Sequence, residues 1–169
     1  LYSEEILRDY IVANLLQTEV IDRALGVFLD ALREEGLYED ALILFCADHG
    51  EMNGERALMD KGVYGHAKVV RVPFMLHCPG GEGAGGTQEA PISLLDVCPT
   101  FLARAGIAPY ARLDGHDLMP LVRDETKRPQ DFLFEAGWHT APNPCVALQH
   151  RYEDGRHFLY TYNLADRHD

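Results

Sequence analysis

The sequence predicts an α/β fold: a partial mixed β-sheet flanked by helices, followed by a small antiparallel C-terminal subdomain. Three observations carry this. A helical pattern runs from Ser3 to Glu35, a continuous apolar run occupies 41–47 (ALILFCA), and two strand-like runs flank Glu153-Asp154-Gly155. The order is helix, buried strand, strand, helix and then antiparallel strands, which describes an α/β core with an antiparallel appendage.

Ile21, Leu25, Phe28 and Leu32 fall on one face of the first helix, with Ser3 as N-cap, Glu4 and Glu5 in its first turn and Gly36 just past its end. The run 41–47 is continuous rather than alternating. That suits a strand buried on both faces, as in a parallel sheet with helices on either side. Cys46 within it is read as a small core residue. Residues 72–78 (VPFMLHC) read as a second strand with Pro73 near its start. The segment 79–88 (PGGEGAGGTQ) is a glycine-rich surface loop that lacks the Gly-Lys-Ser/Thr of a phosphate-binding loop. Asp96 to Ala105 reads as a short helix capped by Asp96, with Pro99 in its first turn, Val97, Phe101, Leu102 and Ala105 as its apolar side, and Gly106 at its end. Residues 131–135 read as a strand and 145–162 as a hairpin turning at Asp154-Gly155. The domain boundary is placed between residues 125 and 126.

With 169 residues there is enough chain for a sizeable core. The net charge of -12 opposes nucleic-acid phosphates and anionic membranes, so a nucleic-acid partner is not expected. No apolar run approaches the roughly 18 residues of a membrane span. Cys46, Cys78, Cys98 and Cys145 show neither C-x-x-C spacing nor the density of a disulfide scaffold. The chain begins at Leu1 without an initiator Met and reads as a fragment or a processed product, which leaves its compartment open.

The chemistry concentrates between Asp48 and Lys61. Ligands of α/β sheets gather at the carboxyl ends of strands, where Asp48 and His49 sit. A carboxylate and an imidazole are an ordinary ligand pair for a divalent cation, and Gly50 lets the backbone turn so that both face one point. The alternative is that Asp48 caps the next turn and His49 is a solvated loop residue, because two ligands do not complete a coordination sphere. Glu51, Glu55 and Asp60 add negative charge that calls for a counter-charge. Lys61 either projects its ammonium into the same pocket, making with a cation a site for a tetrahedral oxyanion, or pairs on the surface with Asp60 or Glu55.

The motifs Asp48-His49-Gly50, Gly54-Glu55-Arg56-Ala57-Leu58, Lys61-Gly62 and Arg71-Val72-Pro73 occur in that order. This stretch resembles the second half of the active site of the sulfatase family, within the alkaline phosphatase superfamily. "SLLDVCPTFLARAGI" and "LDGHDLMPLV" resemble later segments of that family, and "EVIDRALGVFLDALREEGLYEDALILF" resembles its helix before the metal-binding strand. The resemblance implies an alkaline phosphatase-like catalytic domain over 1–125 and the start of the C-terminal subdomain over 126–169. It implies a divalent cation held by Asp48 and His49, calcium first, with manganese or zinc as alternatives suited to the histidine. Lys61 would bind the sulfate or stabilise charge on the leaving oxygen of a small-molecule or saccharide sulfate ester.

Where relatives carry an acidic residue, this chain has Gly65-His66-Ala67-Lys68. His66 is therefore a candidate substrate contact, beside the alternative of a solvated loop histidine. Trp138-His139 either lines a specificity pocket or packs. The family's Cys- or Ser-x-Pro-x-Arg nucleophile motif, whose Cys or Ser becomes formylglycine, has no counterpart: Cys78-Pro79 and Cys98-Pro99 lack the Arg. The resemblance thus implies a C-terminal portion of a sulfatase that needs its N-terminal portion to turn over substrate. The alternatives are a phosphonate monoester or phosphodiester hydrolase of the same superfamily, or a non-catalytic acidic cation-binding module.

Overall fold

The structure is a computed structural model that describes residues 2–61, 65–123, 131–136 and 145–163. It divides into two compact units, Leu1–Gly80 and Gly81–Asp169. The boundary expected between 125 and 126 and the Trp138-His139 pair lie outside the described residues.

The first unit opens with α1 (Glu4–Glu34), 31 residues and therefore about 46 Å long. Ser3 caps it as predicted, its hydroxyl accepting from the Ile6 amide, with Glu4 and Glu5 at the positive end of the helix dipole. It closes in a double hydrogen bond at Gly36, with Gly36 N–H donating to the Arg33 carbonyl and Leu37 N–H to the Leu32 carbonyl. The face predicted to be apolar is only partly covered. Leu25 and Leu32 are half-buried, Ile21 and Phe28 are exposed, and no residue of α1 is fully buried.

β1 (Ile43–Cys46) and β2 (Phe74–His77) form a two-stranded antiparallel ladder, with Ile43 opposite His77 and Cys46 opposite Phe74. The expected parallel neighbour of β1 is not found among the described residues, and each residue of β1 is half-buried rather than buried. The continuous apolar run records that both faces can be covered; it does not encode strand direction. Cys46 is likewise half-buried. Between the strands the chain makes a loop with a short 3₁₀ turn at Glu55–Ala57, and then α2 (Ala67–Val70), whose Val69 is buried.

The second unit begins in the predicted glycine-rich loop and reaches α3 (Val97–Arg104) through a 3₁₀ turn at Leu94–Asp96. Asp96 is the N-cap residue of α3 without a side-chain capping bond, and the capping box belongs to Ser93 at the head of the 3₁₀ turn. Ser93 Oγ accepts from the Leu95 amide, and the Asp96 carboxylate reaches back to the Ser93 amide. The inward residues are polar. Asp96 and Thr100 are buried, whereas Phe101, predicted on the apolar side, is exposed. Asp96 accepts from the Ser93 amide at 2.9 Å and the His116 amide at 2.8 Å. Thr100 Oγ1 donates to the Asp96 carbonyl at 2.7 Å and accepts from the Leu118 amide at 2.9 Å. These bonds make burial of the two groups affordable. The loop 115–118 presses so closely on the 3₁₀ turn before α3 that a Cβ on Gly115 would lie 2.0 Å from the Leu95 carbonyl oxygen. α4 (Met119–Val122) follows, with Met119 and Leu121 buried.

The C-terminal sheet forms as predicted. β3 (Asp131–Ala136), β4 (Cys145–Arg151) and β5 (His157–Asn163) are antiparallel in the order β3-β4-β5. The turn closes with the Gly155 amide donating to the Tyr152 carbonyl and the Tyr152 amide to the Arg156 carbonyl. Among the described residues no helix is long and apolar enough to cross a membrane.

Candidate functional site

The loop that follows β1 gathers the predicted site residues. Asp48 leaves the end of β1 with its side chain 85% exposed, and its Oδ1 accepts from the His49 amide at 2.9 Å. This is the local capping bond that the sequence allowed. It engages one oxygen and leaves Oδ2 3.4 Å from His49 Nε2. His49 is fixed by its other nitrogen, since Nδ1 lies 2.9 Å from the Gly50 carbonyl oxygen. A carbonyl only accepts, so Nδ1 carries the proton and Nε2 presents a lone pair. An ammonium only donates, and the Lys61 Nζ stands 2.9 Å from that lone pair. One neutral tautomer satisfies both neighbours.

Gly50 is required by close approach rather than by a turn. A Cβ there would sit 1.9 Å from the Lys68 carbonyl oxygen, and the Gly50 amide donates to the Val69 carbonyl at 2.7 Å. The backbone of α2 thus buttresses the metal-type dipeptide. His66 caps α2, its Nδ1 accepting from the Lys68 amide at 3.2 Å. Arg71 ends that helix as its extended C-cap, its amide donating to the Ala67 carbonyl.

The loop between His49 and Lys61 is strained. Asn53, Arg56, Ala57 and Asp60 all have positive φ, between 49° and 68°. Such conformations cost on the order of 1 kcal/mol or more each in residues other than glycine, so the surroundings must impose them. Three backbone bonds within the loop do part of this: Met52 N–H to the Asp60 carbonyl, Gly54 N–H to Leu58 and Glu55 N–H to Met52. The Met52 side chain, 1% exposed, anchors the centre. The rest comes from α1. Ile11 and Leu7 lie against Gly54, Asn14 Nδ2 donates to Asn53 Oδ1 at 3.1 Å, and the Asp60 amide donates to the Tyr10 hydroxyl at 3.3 Å. Partial burial raises the Tyr10 pKa above its ordinary value, and the hydrogen bond to Glu51 and that residue's charge add to the rise. Tyr10 and Asn14 were missed in the sequence. The signal was there: at 7, 10, 11 and 14 the helix repeats a one-face spacing in which two of the four residues are polar.

The donor chemistry fits a divalent cation. A histidine whose Nδ1–H is tied to a carbonyl is the usual form of a metal-binding imidazole. Ligand bonds of about 2.0–2.6 Å place neighbouring donor atoms roughly 3 Å apart, the scale of the Asp48–His49 separation. Two donors are only part of a shell, and no cluster of three or more His, Cys, Asp or Glu suited to a metal occurs among the described residues.

Comparison with known proteins identifies the family and the fold. The family described as Sulfatase matches residues 14–107. The choline-sulfatase of Rhizobium meliloti (strain 1021) is 35% identical over 152 residues, covering 87% of this chain and 28% of that protein. The solved structure of a 2-O GAG sulfatase superposes with a TM-score of 0.79 at 23% identity, over 97% of this chain and 36% of that one. The phosphonate monoester hydrolase of Agrobacterium radiobacter gives 0.65 at 26% identity, over 86% and 33%. The chain belongs to the sulfatase family, with the alkaline phosphatase-like α/β fold, and spans well under half the length of the relatives it matches.

Proposed function

We propose that this chain is part of a sulfuric ester hydrolase, with 1–125 belonging to its catalytic domain and 126–169 to the start of a C-terminal subdomain. The observation that carries the proposal is the Lys61 ammonium 2.9 Å from His49 Nε2, beside the Asp48 carboxylate, in a member of the sulfatase family. Asp48 and His49 would hold a divalent cation, calcium before manganese or zinc. Bound there, the cation would polarise the ester's sulfate and neutralise its charge. The remaining ligands and the formylglycine nucleophile are assigned to the N-terminal portion of the protein, because two donors cannot fill a shell of roughly four to eight. The exposed apolar residues of α1, Leu15, Leu16, Val20 and Ile21 among them, form a surface suited to that portion.

The chain's own residues would act as follows. His49 Nε2 has a single lone pair. With it engaged by a cation, the Lys61 ammonium is left to bind a sulfate oxygen and to stabilise charge developing on the leaving oxygen. His66 has Nδ1 committed to its helix cap, so Nε2 is the nitrogen available to a substrate.

The test is turnover of an aryl sulfate by the full-length protein, with and without chelator. Lys61→Ala should lower kcat/KM by about 100-fold or more, and chelation should abolish activity until metal is restored. Unchanged turnover in both experiments would overturn the proposal. The phosphonate monoester hydrolase likeness favours a second reading with the same cation and lysine. Higher turnover of an aryl phosphonate than of the sulfate would select it.

A further inference from the structure

We propose that Tyr10 is a positioning residue for Lys61: its hydroxyl holds the Asp60 peptide in a left-handed conformation, and that peptide aims the lysine side chain at His49. The inference rests on the role assigned above to Lys61, and it concerns a residue fifty positions away on a different element.

Asp60 has a φ of 68°, a left-handed conformation that local hydrogen bonds stabilise in an aspartate. It is held at each polar group. Its amide donates to the Tyr10 hydroxyl at 3.3 Å, its carbonyl accepts from the Met52 amide at 3.3 Å, and its Oδ1 accepts from the Lys61 amide at 2.6 Å. The first of these is the only one of the three whose partner lies outside the loop. A phenol has one proton and two lone pairs. The Asp60 amide takes a lone pair, and the charge of Glu51, whose Oε1 accepts from the Asn53 amide at 3.2 Å, stands close enough to raise the Tyr10 pKa. The hydroxyl therefore ties the Lys61 end of the strained loop to α1.

The geometry makes catalysis sensitive to this bond. A ~10° change in the Asp60 backbone swings an ammonium about 6 Å from its Cα by roughly 1 Å, a displacement of the size that costs up to ~100-fold in rate. Arg8, on the same helix, is exposed and pairs with Glu4 at 3.2 Å. It serves as the internal control.

The experiment compares Tyr10→Phe, Arg8→Ala and Lys61→Ala in the full-length protein, with kcat and KM for an aryl sulfate and amide exchange of the 52–61 segment. Tyr10→Phe keeps the ring and removes the hydrogen bond to the Asp60 amide. It should lower kcat about 10-fold with KM within about 2-fold, and it should speed exchange at Asp60. Arg8→Ala should leave kcat within about 2-fold. If Lys61→Ala abolishes turnover while Tyr10→Phe leaves kcat and Asp60 exchange at wild-type values, the positioning role is wrong and the lysine's role stands. A loss in Tyr10→Phe that tracks a fall in Tm, with exchange raised evenly across 52–61, would also overturn it, since that is the signature of general loosening. If Lys61→Ala itself turns over normally, the functional proposal fails first.

Discussion

Asp48 and Asp96 are aspartates with opposite uses, and the contrast shows how the fold separates chemistry from support. Asp48 stands 85% exposed, with one oxygen on its neighbour's amide and the other beside His49 Nε2. Asp96 is 1% exposed, with its oxygens on the amides of Ser93 and His116. A carboxylate whose lone pairs are filled by backbone donors is a joint that ties a loop to a helix. A carboxylate left partly unfilled, 3.4 Å from an imidazole nitrogen, retains capacity for a ligand. The two loops are braced alike, each by a glycine against which a carbonyl oxygen lies too close for any Cβ. The difference is in what the bracing holds.

Gly50→Ala should break the first region outright. With a Cβ 1.9 Å from the Lys68 carbonyl oxygen, α2 or the loop must shift, at about 4 kcal/mol or more, and metal-dependent turnover should vanish. Denaturant unfolding and activity of the full-length protein measure both. A variant that folds and turns over normally would show that α2 does not brace the site.

Asp96→Ala tests the second region. It leaves two amides without acceptors and should cost about 2–4 kcal/mol in stability, while metal affinity and KM stay at wild-type values. Asp48→Asn should do the reverse, weakening metal binding by at least the ~10–100-fold that outer-shell changes cost and leaving the metal-free Tm unaltered. If calorimetry finds that Asp96→Ala lowers metal affinity as far as Asp48→Asn does, the separation of roles is lost.

The smallest effect belongs to a surface pair. Arg123 donates to both oxygens of Glu82, and this hydrogen bond holds the Glu82 carboxyl below its ordinary value of 4.5 against a modest desolvation. A depressed folded pKa contributes stability above the unfolded value and loses it as pH falls through the folded one. Glu82→Gln should therefore shift Tm slightly at pH 7 and not at all in strong acid. A shift that persists in acid would assign the effect to packing rather than charge.

Much of this was legible beforehand. Ser3 and Gly36 bound α1 because capping and helix termination are satisfied within a few residues of the chain. Asp154-Gly155 sets the hairpin for the same reason. The motif order from Asp48 to Pro73 located the candidate site. What the sequence left open was long-range. The apolar run of β1 suggested a parallel sheet, and the ladder that β1 makes among the described residues is antiparallel. The apolar side of α3 suggested a core at Phe101, and the buried residues are Asp96 and Thr100, made tolerable by amides twenty and eighteen positions away.

The sequence by itself determined where α1 begins and ends and where the C-terminal hairpin turns, which dipeptide carries metal-type donors, and the family to which the order of motifs belongs. Those are local quantities, set by capping, turn chemistry and spacing along one chain. Only the tertiary structure decided that Lys61 faces His49 rather than Asp60 or Glu55, that Gly50 is required by the carbonyl of Lys68, and that Tyr10 reaches across to the loop. Each of those depends on where a second, distant stretch of backbone lies. A hydrogen bond acts over about 3 Å of space and is indifferent to separation along the chain.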